Sequence, residues 1–362
     1  TLGLKNVLLY YTDKFARAQV FMSANTINSI QEFLDASQSQ YKFIDMGRGF
    51  REITPEQFAD IEQQRAPAPY PRQQHMWLGC IFWAEQRSSQ HYIWFIKLPL
   101  DERGLLNQAA RNVFLEKVVN ALGAQLEHTE KQQGQLGDNP YTFVPNQQQL
   151  ADFNAKAKAL VGAKPGQGFQ AVGEYIHAPA EHDWQLLSVQ GVADYVARLS
   201  DPMLFAALSM QWQQLAPSFQ TAVLSSLENY VINKPFAMLI KHHYDAATEQ
   251  NNDPHMIASL RALAQAPEAI VLKVLQPLLQ RAYLNADLLI LIAARHMRLF
   301  ADIERAKVFL EHCALHDDAL FQGLFADMVQ VPQCRIYLLQ AMQSDSLSQL
   351  CKTKIATLQQ AR

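Results

Sequence analysis

The sequence predicts an α+β domain at the N-terminus followed by an all-helical array of antiparallel helix pairs. Three observations predict it. Strand-like apolar runs are confined to the first part of the chain. After Trp184 they vanish, and apolar stripes at helical spacing repeat, each broken by a polar or Pro-containing turn. Between the two lies a stretch rich in Gly and Pro where helical periodicity stops. The implied organisation is a leader or extension over 1–21, an α+β domain over 22–161, a linker over 162–183 and a helical-repeat-like domain over 184–362.

Residues 1–21 read as a weakly amphipathic leader, and the pattern restarts at Met22-Ser23-Ala24-Asn25-Thr26, so Met22 is the expected start of the domain. Asn25 or Thr26 can cap a helix in which Ile27, Ile30 and Leu34 recur at helical spacing. Tyr41 to Met46 reads as a strand, and Gly47-Arg48-Gly49 as the turn after it. Thr54-Pro55-Glu56 opens a second helix, with Thr as cap and Pro at the first helical position. The Pro-rich run from Ala66 to Pro71 ends it in extended chain.

The clearest strands are Trp77 to Trp83 and Tyr92 to Ile96, apolar at nearly every position and hence covered on both faces. Their short polar link implies an antiparallel hairpin. Asp101 is the expected cap of a helix carrying Leu105, Ala109, Val113, Phe114 and Val118 and ending at Gly123. Tyr141 to Val144 reads as an edge strand, and Gln147 to Leu160 as a helix closing the first domain. The sheet is therefore small and mainly antiparallel, with helices packed on it.

The linker is marked by Gly162, Pro165, Gly166, Gly168, Gly173 and Pro179. Beyond it the stripes run Val189, Val192, Tyr195; then Leu204, Leu208, Trp212; then Val223, Leu224, Leu227. They continue through Ile257, Leu260; Val271, Val274; Leu288, Leu291; Ile303, Val308; Leu320, Leu324; and Ile336, Leu339. Helices of ~10–16 residues joined by short turns pair as antiparallel neighbours. Two helices per ~30–35 residues resembles the spacing of HEAT-type repeats, although no repeat consensus recurs, and an irregular bundle fits the same pattern.

Hydrophobic residues make up 49% of the 362 and charged residues 18%, a globular composition with enough apolar residues for two cores. The formal net charge is −3, and no Lys or Arg run can track a phosphate backbone, which argues against nucleic acid as a partner. No apolar run approaches the ~18 residues of a membrane span. Cys80, Cys313, Cys334 and Cys351 lie far apart in apolar surroundings with no CxxC pair, so a reducing cytoplasm fits and neither a disulfide framework nor a cysteine zinc site is expected.

Two stretches carry a family resemblance. One is Pro69-Tyr70-Pro71-Arg72-Gln73-Gln74-His75-Met76-Trp77-Leu78-Gly79. The other runs from His91-Tyr92-Ile93-Trp94 through Leu98-Pro99-Leu100-Asp101-Glu102 to Gly104-Leu105-Leu106-Asn107-Gln108-Ala109-Ala110-Arg111. Together they resemble an uncharacterised gammaproteobacterial family known only as a domain of unknown function, over most of the chain from Met22. The resemblance implies a bacterial cytoplasmic protein. It brings no activity, cofactor or catalytic residue with it.

Several constellations could carry chemistry. His242, His243 and Asp245 form the densest set of candidate metal ligands, but adjacent helical residues point about 100° apart and chelate one ion poorly. His312 and His316 have the better i, i+4 spacing, set against their place at a helix end, where capping explains them. Trp77, Trp83 and Trp94 could form a stacking platform, set against packing under helices. Asp45-Met46-Gly47-Arg48-Gly49-Phe50 places an acid, two glycines and an arginine at a strand end, a place that can bind anions, although a tight turn explains the glycines alone. Asp101-Glu102-Arg103 reads as helix capping rather than catalysis. Arg295, Arg298, Arg305 and Lys307 are the most concentrated basic patch of the helical half and the candidate partner or anion surface, with Asp302, Glu304 and Glu311 near enough to neutralise it.

No catalytic residue and no cofactor is assigned. The expected function is a non-enzymatic protein-binding or scaffold role for the helical array, whose stacked helices offer an extended surface to an unidentified protein partner. The alternative is an enzyme with a small site in the N-terminal domain or at the domain junction. The residues leave the partner's identity and the oligomeric state open.

Overall fold

The computed structural model describes residues 28–84, 91–127 and 139–360. The expected leader and the expected caps Asn25 and Thr26 lie outside them. The chain forms two compact units that divide between Val144 and Pro145.

The first unit is built on a four-stranded antiparallel sheet in the order β2-β1-β3-β4, where β1 is Ser39–Asp45, β2 Arg51–Ile53, β3 His75–Ala84 and β4 His91–Pro99. The expected hairpin of β3 and β4 is present, with Trp77 opposite Lys97 and Cys80 opposite Trp94. Because side chains alternate along a strand, Met76, Leu78, Cys80 and Phe82 share one face. They join Phe43, Ile96 and Leu98 in a single core with residues of three helices. Those helices are α1 (Ile30–Ala36), α2 (Pro55–Glu62) and α3 (Gln108–Glu127). Phe33 and Leu34 come from α1, Phe58 and Ile61 from α2, and Phe114 and Val118 from α3. Ile44 and Ile81 are fully buried on the opposite face, so β1 and β3 are covered there at mid-strand, while Trp77, Ile93 and Phe95 on the same face are only partly buried.

Local chemistry sets the helix ends. Ser29 caps α1 by accepting from the Glu32 N–H. Thr54 and Gln57 form a reciprocal capping box at α2, with Pro55 in the first turn. Asp101 does not cap α3. It accepts from the Arg103 and Leu105 N–H groups within a turn, while Asn107 accepts from Ala110 N–H at the helix start. The helix also runs on through Gly123 to Glu127, because a glycine lowers helix propensity without breaking the backbone ladder. Tyr141 to Val144 lies at the edge beside β4 but makes a single bridge, Ile96 to Thr142, rather than a strand.

The second unit is helical throughout. Its helices are α4 (Gln147–Leu160), α5 (Gly168–His177), α6 (Val189–Val196), α7 (Pro202–Gln211), α8 (Pro217–Leu227), α9 (Lys234–Glu249) and α10 (Asp253–Ala262). They continue as α11 (Glu268–Leu279), α12 (Ala286–Arg295), α13 (Ile303–Ala314), α14 (Asp318–Met328), α15 (Pro332–Met342) and α16 (Gln349–Gln360). Helix α4 has the expected bounds, yet it packs here and not in the first unit. Ala151 and Ala155 face Ala193 of α6 in a small-residue contact, a choice of core that periodicity alone does not reveal. The Gly/Pro-rich segment holds α5, so its glycines are not those of a bare linker.

The helices stack next-but-one. Helix α4 packs on α6, α6 on α8, α8 on α10, α10 on α12, α12 on α14 and α14 on α16. The odd-numbered helices do the same in pairs, α5 with α7, α9 with α11 and α13 with α15. Helices α9 and α16 carry no stripe named from the sequence. In α9, Phe236, Ala237, Ile240, Tyr244 and Ala247 still bury one face, with smaller residues filling part of it. Among the described residues no helix is long and apolar enough to cross a membrane.

Candidate functional site

In the helical unit a polar network runs through the even-numbered layer. Asp152 of α4 is buried and accepts from Gln148 Nε2 at 3.1 Å and from Asn229 Nδ2 at 3.1 Å. Gln148 Nε2 also donates to Ser226 Oγ. Burial pushes the Asp152 carboxyl up to about 6, against the hydrogen bonds from Ser226 and Gln148 that pull it down. Asp194 of α6 is fully buried. Its Oδ2 accepts from the Gly166 N–H at 2.7 Å and from Lys158 Nζ at 3.4 Å, with Arg198 at 3.7 Å from its other oxygen.

Glu228, just beyond α8, receives two guanidinium forks. Arg261 donates through Nε at 2.8 Å and Nη2 at 3.1 Å, and Arg295 through Nε at 3.1 Å and Nη2 at 3.2 Å. Burial works to raise this carboxyl, but Arg295 and Arg261 outweigh it and hold Glu228 below its ordinary range.

The expected basic patch is thus tied into the fold. Arg295 is spent on Glu228. Arg298 Nη2 donates to Ala266 O at 2.5 Å, and Arg305 Nε to Leu299 O at 2.6 Å. Lys307 pairs with Glu304 at 2.8 Å, and Asp302 lies 3.8 Å from Arg305. Glu311, expected to neutralise the patch, instead accepts from the Ser348 N–H at 2.6 Å.

The histidines also serve backbone carbonyls. His312 Nε2 donates to Leu279 O and His316 Nε2 to Leu284 O, both at 2.8 Å. Fully buried His296 donates to Leu260 O at 2.9 Å, and Gln265 Nε2 to Glu228 O at 3.1 Å. These pairs lie 32 to 37 positions apart, so each side chain satisfies a carbonyl about one helix pair back. The sequence shows the donors but not the carbonyls they meet.

The structure separates His242, His243 and Asp245. His242 is exposed and Asp245 pairs with Lys241. His243 meets Trp212 edge-on at 5.6 Å, with the His255 ring 5.5 Å away, and burial followed by His255 lowers its pKa. Among the described residues no three His, Cys, Asp or Glu side chains are arranged to hold a metal ion.

In the first unit the tryptophans do not form one platform. Trp94 packs in the core against Phe82 at 4.6 Å and Phe114 at 6.0 Å. Trp77 lies on the other face, with Arg72 3.9 Å and Lys97 4.6 Å from its ring.

The strand-end motif is more informative. Asp45, the last residue of β1, has no exposed surface. Its Oδ1 accepts from the Gly47 N–H at 2.8 Å, and its Oδ2 is buried with no hydrogen-bond partner among the described residues. Arg51 stands directly opposite it on β2, and Arg48 and Arg72 also act on its charge. Burial nonetheless pushes the Asp45 carboxyl up to about 8, against the Gly47 N–H and the pull of Arg51, Arg48 and Arg72. Arg48 is buried and donates from Nε to Pro71 O at 2.8 Å. A Cβ on Gly47 would collide with the Tyr70 carbonyl oxygen, so only glycine lets these two backbone segments meet.

Residues 25–359 match the model of a protein family described as a protein of unknown function, DUF3549. No curated protein and no solved structure matches the chain.

Proposed function

The chain belongs to the DUF3549 family of proteins of unknown function, and on that premise we propose that it is a non-enzymatic protein-binding or scaffold protein whose helical array is the binding surface. One observation supports this most: the uninterrupted next-but-one stacking from α4 to α16, the packing of helical-repeat proteins such as the HEAT type. Such stacking lays one face of every second helix side by side and presents a long surface to a partner. The ionisable groups inside that layer, Asp152, Asp194, Glu228 and Arg295, hold the helices together and take no part in a reaction. Exposed apolar side chains lie along the array, with Met203 and Met210 on α7 and Ile336 and Leu339 on α15. The partner is a protein, and the setting is a bacterial cytoplasm, which the four free, buried cysteines suit.

The test is recovery of the tagged full chain from native lysate, beside two charge-bearing variants, M203K/M210K and I336K/L339K. One defined protein should accompany the wild type and be lost from at least one variant that melts like the wild type. A chain recovered alone under gentle conditions, or a companion indifferent to both variants, would overturn the proposal.

A further inference from the structure

We propose that the corner between β1 and β2, where Arg51 faces Asp45 with Arg48 and Arg72 close by, binds a phosphate-type oxyanion. The argument begins with charge. Three guanidiniums act on a single carboxyl group. Among the described residues that carboxyl is in no ion pair: Oδ1 accepts from the Gly47 N–H, and Oδ2 has no hydrogen-bond partner. Arg51 therefore faces an acid without being paired to it, unlike Arg261 and Arg295, which both close on Glu228.

Arg51 is the free arm of the set. Its guanidinium carbon lies 4.8 Å from the centre of the Tyr70 ring. A stacked guanidinium keeps its N–H donors in one plane, ready for two parallel bonds to an oxyanion. Its Nε is buried and donates to nothing among the described residues. A buried, unsatisfied donor on a cation costs more than a neutral one, and an oxyanion would satisfy it.

The corner is also rigid. Arg48 is fixed to Pro71 O, the Met46 N–H donates to Trp77 O at 2.7 Å, and Gly47 lies against the Tyr70 backbone. Arg72 is braced on Trp77. A site whose cations are placed before the anion arrives loses less entropy on binding. The required chemistry is a small tetrahedral oxyanion, either free phosphate or a terminal phosphate on a larger molecule.

Calorimetry on the full chain tests this, with inorganic phosphate, glycerol phosphate and chloride compared at equal ionic strength. Phosphate or glycerol phosphate should bind saturably and chloride should not. Tighter binding of the ester would make the ligand a phosphorylated molecule, and tighter binding of phosphate would make it the free ion. R51Q should weaken binding by about tenfold or more, and R51K should lose part of it, because Lys keeps the charge but not the fork. Circular dichroism establishes that each variant is folded, and if R51Q does not fold, R51K and the wild-type titration decide the matter. No saturable heat from either phosphate, or affinity unchanged in a folded R51 variant, would sink the proposal. None of these outcomes depends on a protein partner for the helical array.

Discussion

Arg295 reaches back 67 positions to close its Nε and Nη2 on the two carboxylate oxygens of Glu228. Arg261 grips the same carboxylate, but its side chain is 41% exposed against 15% for Arg295. An exposed ion pair contributes little, whereas removing one member of a buried pair leaves a charge poorly compensated. Arg295→Ala should therefore cost about 2–4 kcal/mol in denaturant unfolding of the helical unit. Arg261→Ala should cost about 1 kcal/mol or less. Equal losses would mean that burial does not set the strength of this triad.

The raised Asp45 carboxyl makes the first unit sensitive to alkali. The unfolded aspartate releases its proton near its ordinary range, while the folded one keeps it up to about 8. Between those values the native state binds more protons than the unfolded state, so stability falls as pH rises through the window and levels off above it. The limiting slope is about 1.4 kcal/mol per pH unit. Asp45→Asn keeps the shape and removes the titration. Hydrogen exchange of the Phe43 to Asp45 amides should show the variant gaining on the wild type as pH rises towards 8. A difference that stays flat across this range would rule out a protonated Asp45.

Legibility in the sequence followed the range of the interaction that decides each feature. β3 and β4 were readable because their apolar positions stand next to one another. β2, only Arg51–Ile53, has no pattern of its own and exists through pairing with β1. Helix α4 was readable in its bounds but not in its allegiance, because alanines at helical spacing fit either core. At the sites, the residue types were visible and the partners were not. His312 and His316 present good chelating spacing, yet each is drawn to a carbonyl 33 or 32 positions back. Asp45 is evident as an acid at a strand end, while its complete burial comes from the segments folded around it.

The turn before β3 should be improvable. Gln73 and Gln74 have φ values of 51° and 59°, in the left-handed region, between Arg72 and His75, which exchange both backbone hydrogen bonds. That is the two-residue hairpin geometry that Asn-Gly fills with least strain. Each non-glycine residue held there costs on the order of 1 kcal/mol. Q73N/Q74G should stabilise the first unit by about 1–2 kcal/mol, read by thermal unfolding. A loss of stability would show that the glutamine side chains outweigh the backbone strain.

Two glycines in the helical unit should respond in opposite directions to the same change. A Cβ on Gly191 would lie 2.7 Å from Gly168 O and 2.8 Å from its carbonyl carbon, where α6 crosses the start of α5. Those are backbone atoms, so relief requires one helix to move off the other. Gly191→Ala should cost about 1–3 kcal/mol, the usual range for overpacking. Gly323 lies inside α14 and is exposed, with nothing within 4 Å of a built Cβ. There the methyl group restricts only the unfolded chain, and Gly323→Ala should gain about 0.5–1 kcal/mol. Denaturant melts of the two variants separate close helix contact from plain propensity. A neutral Gly191→Ala would mean that α5 is held loosely enough to yield, and the segment round Gly168 would then behave as the linker its composition suggests.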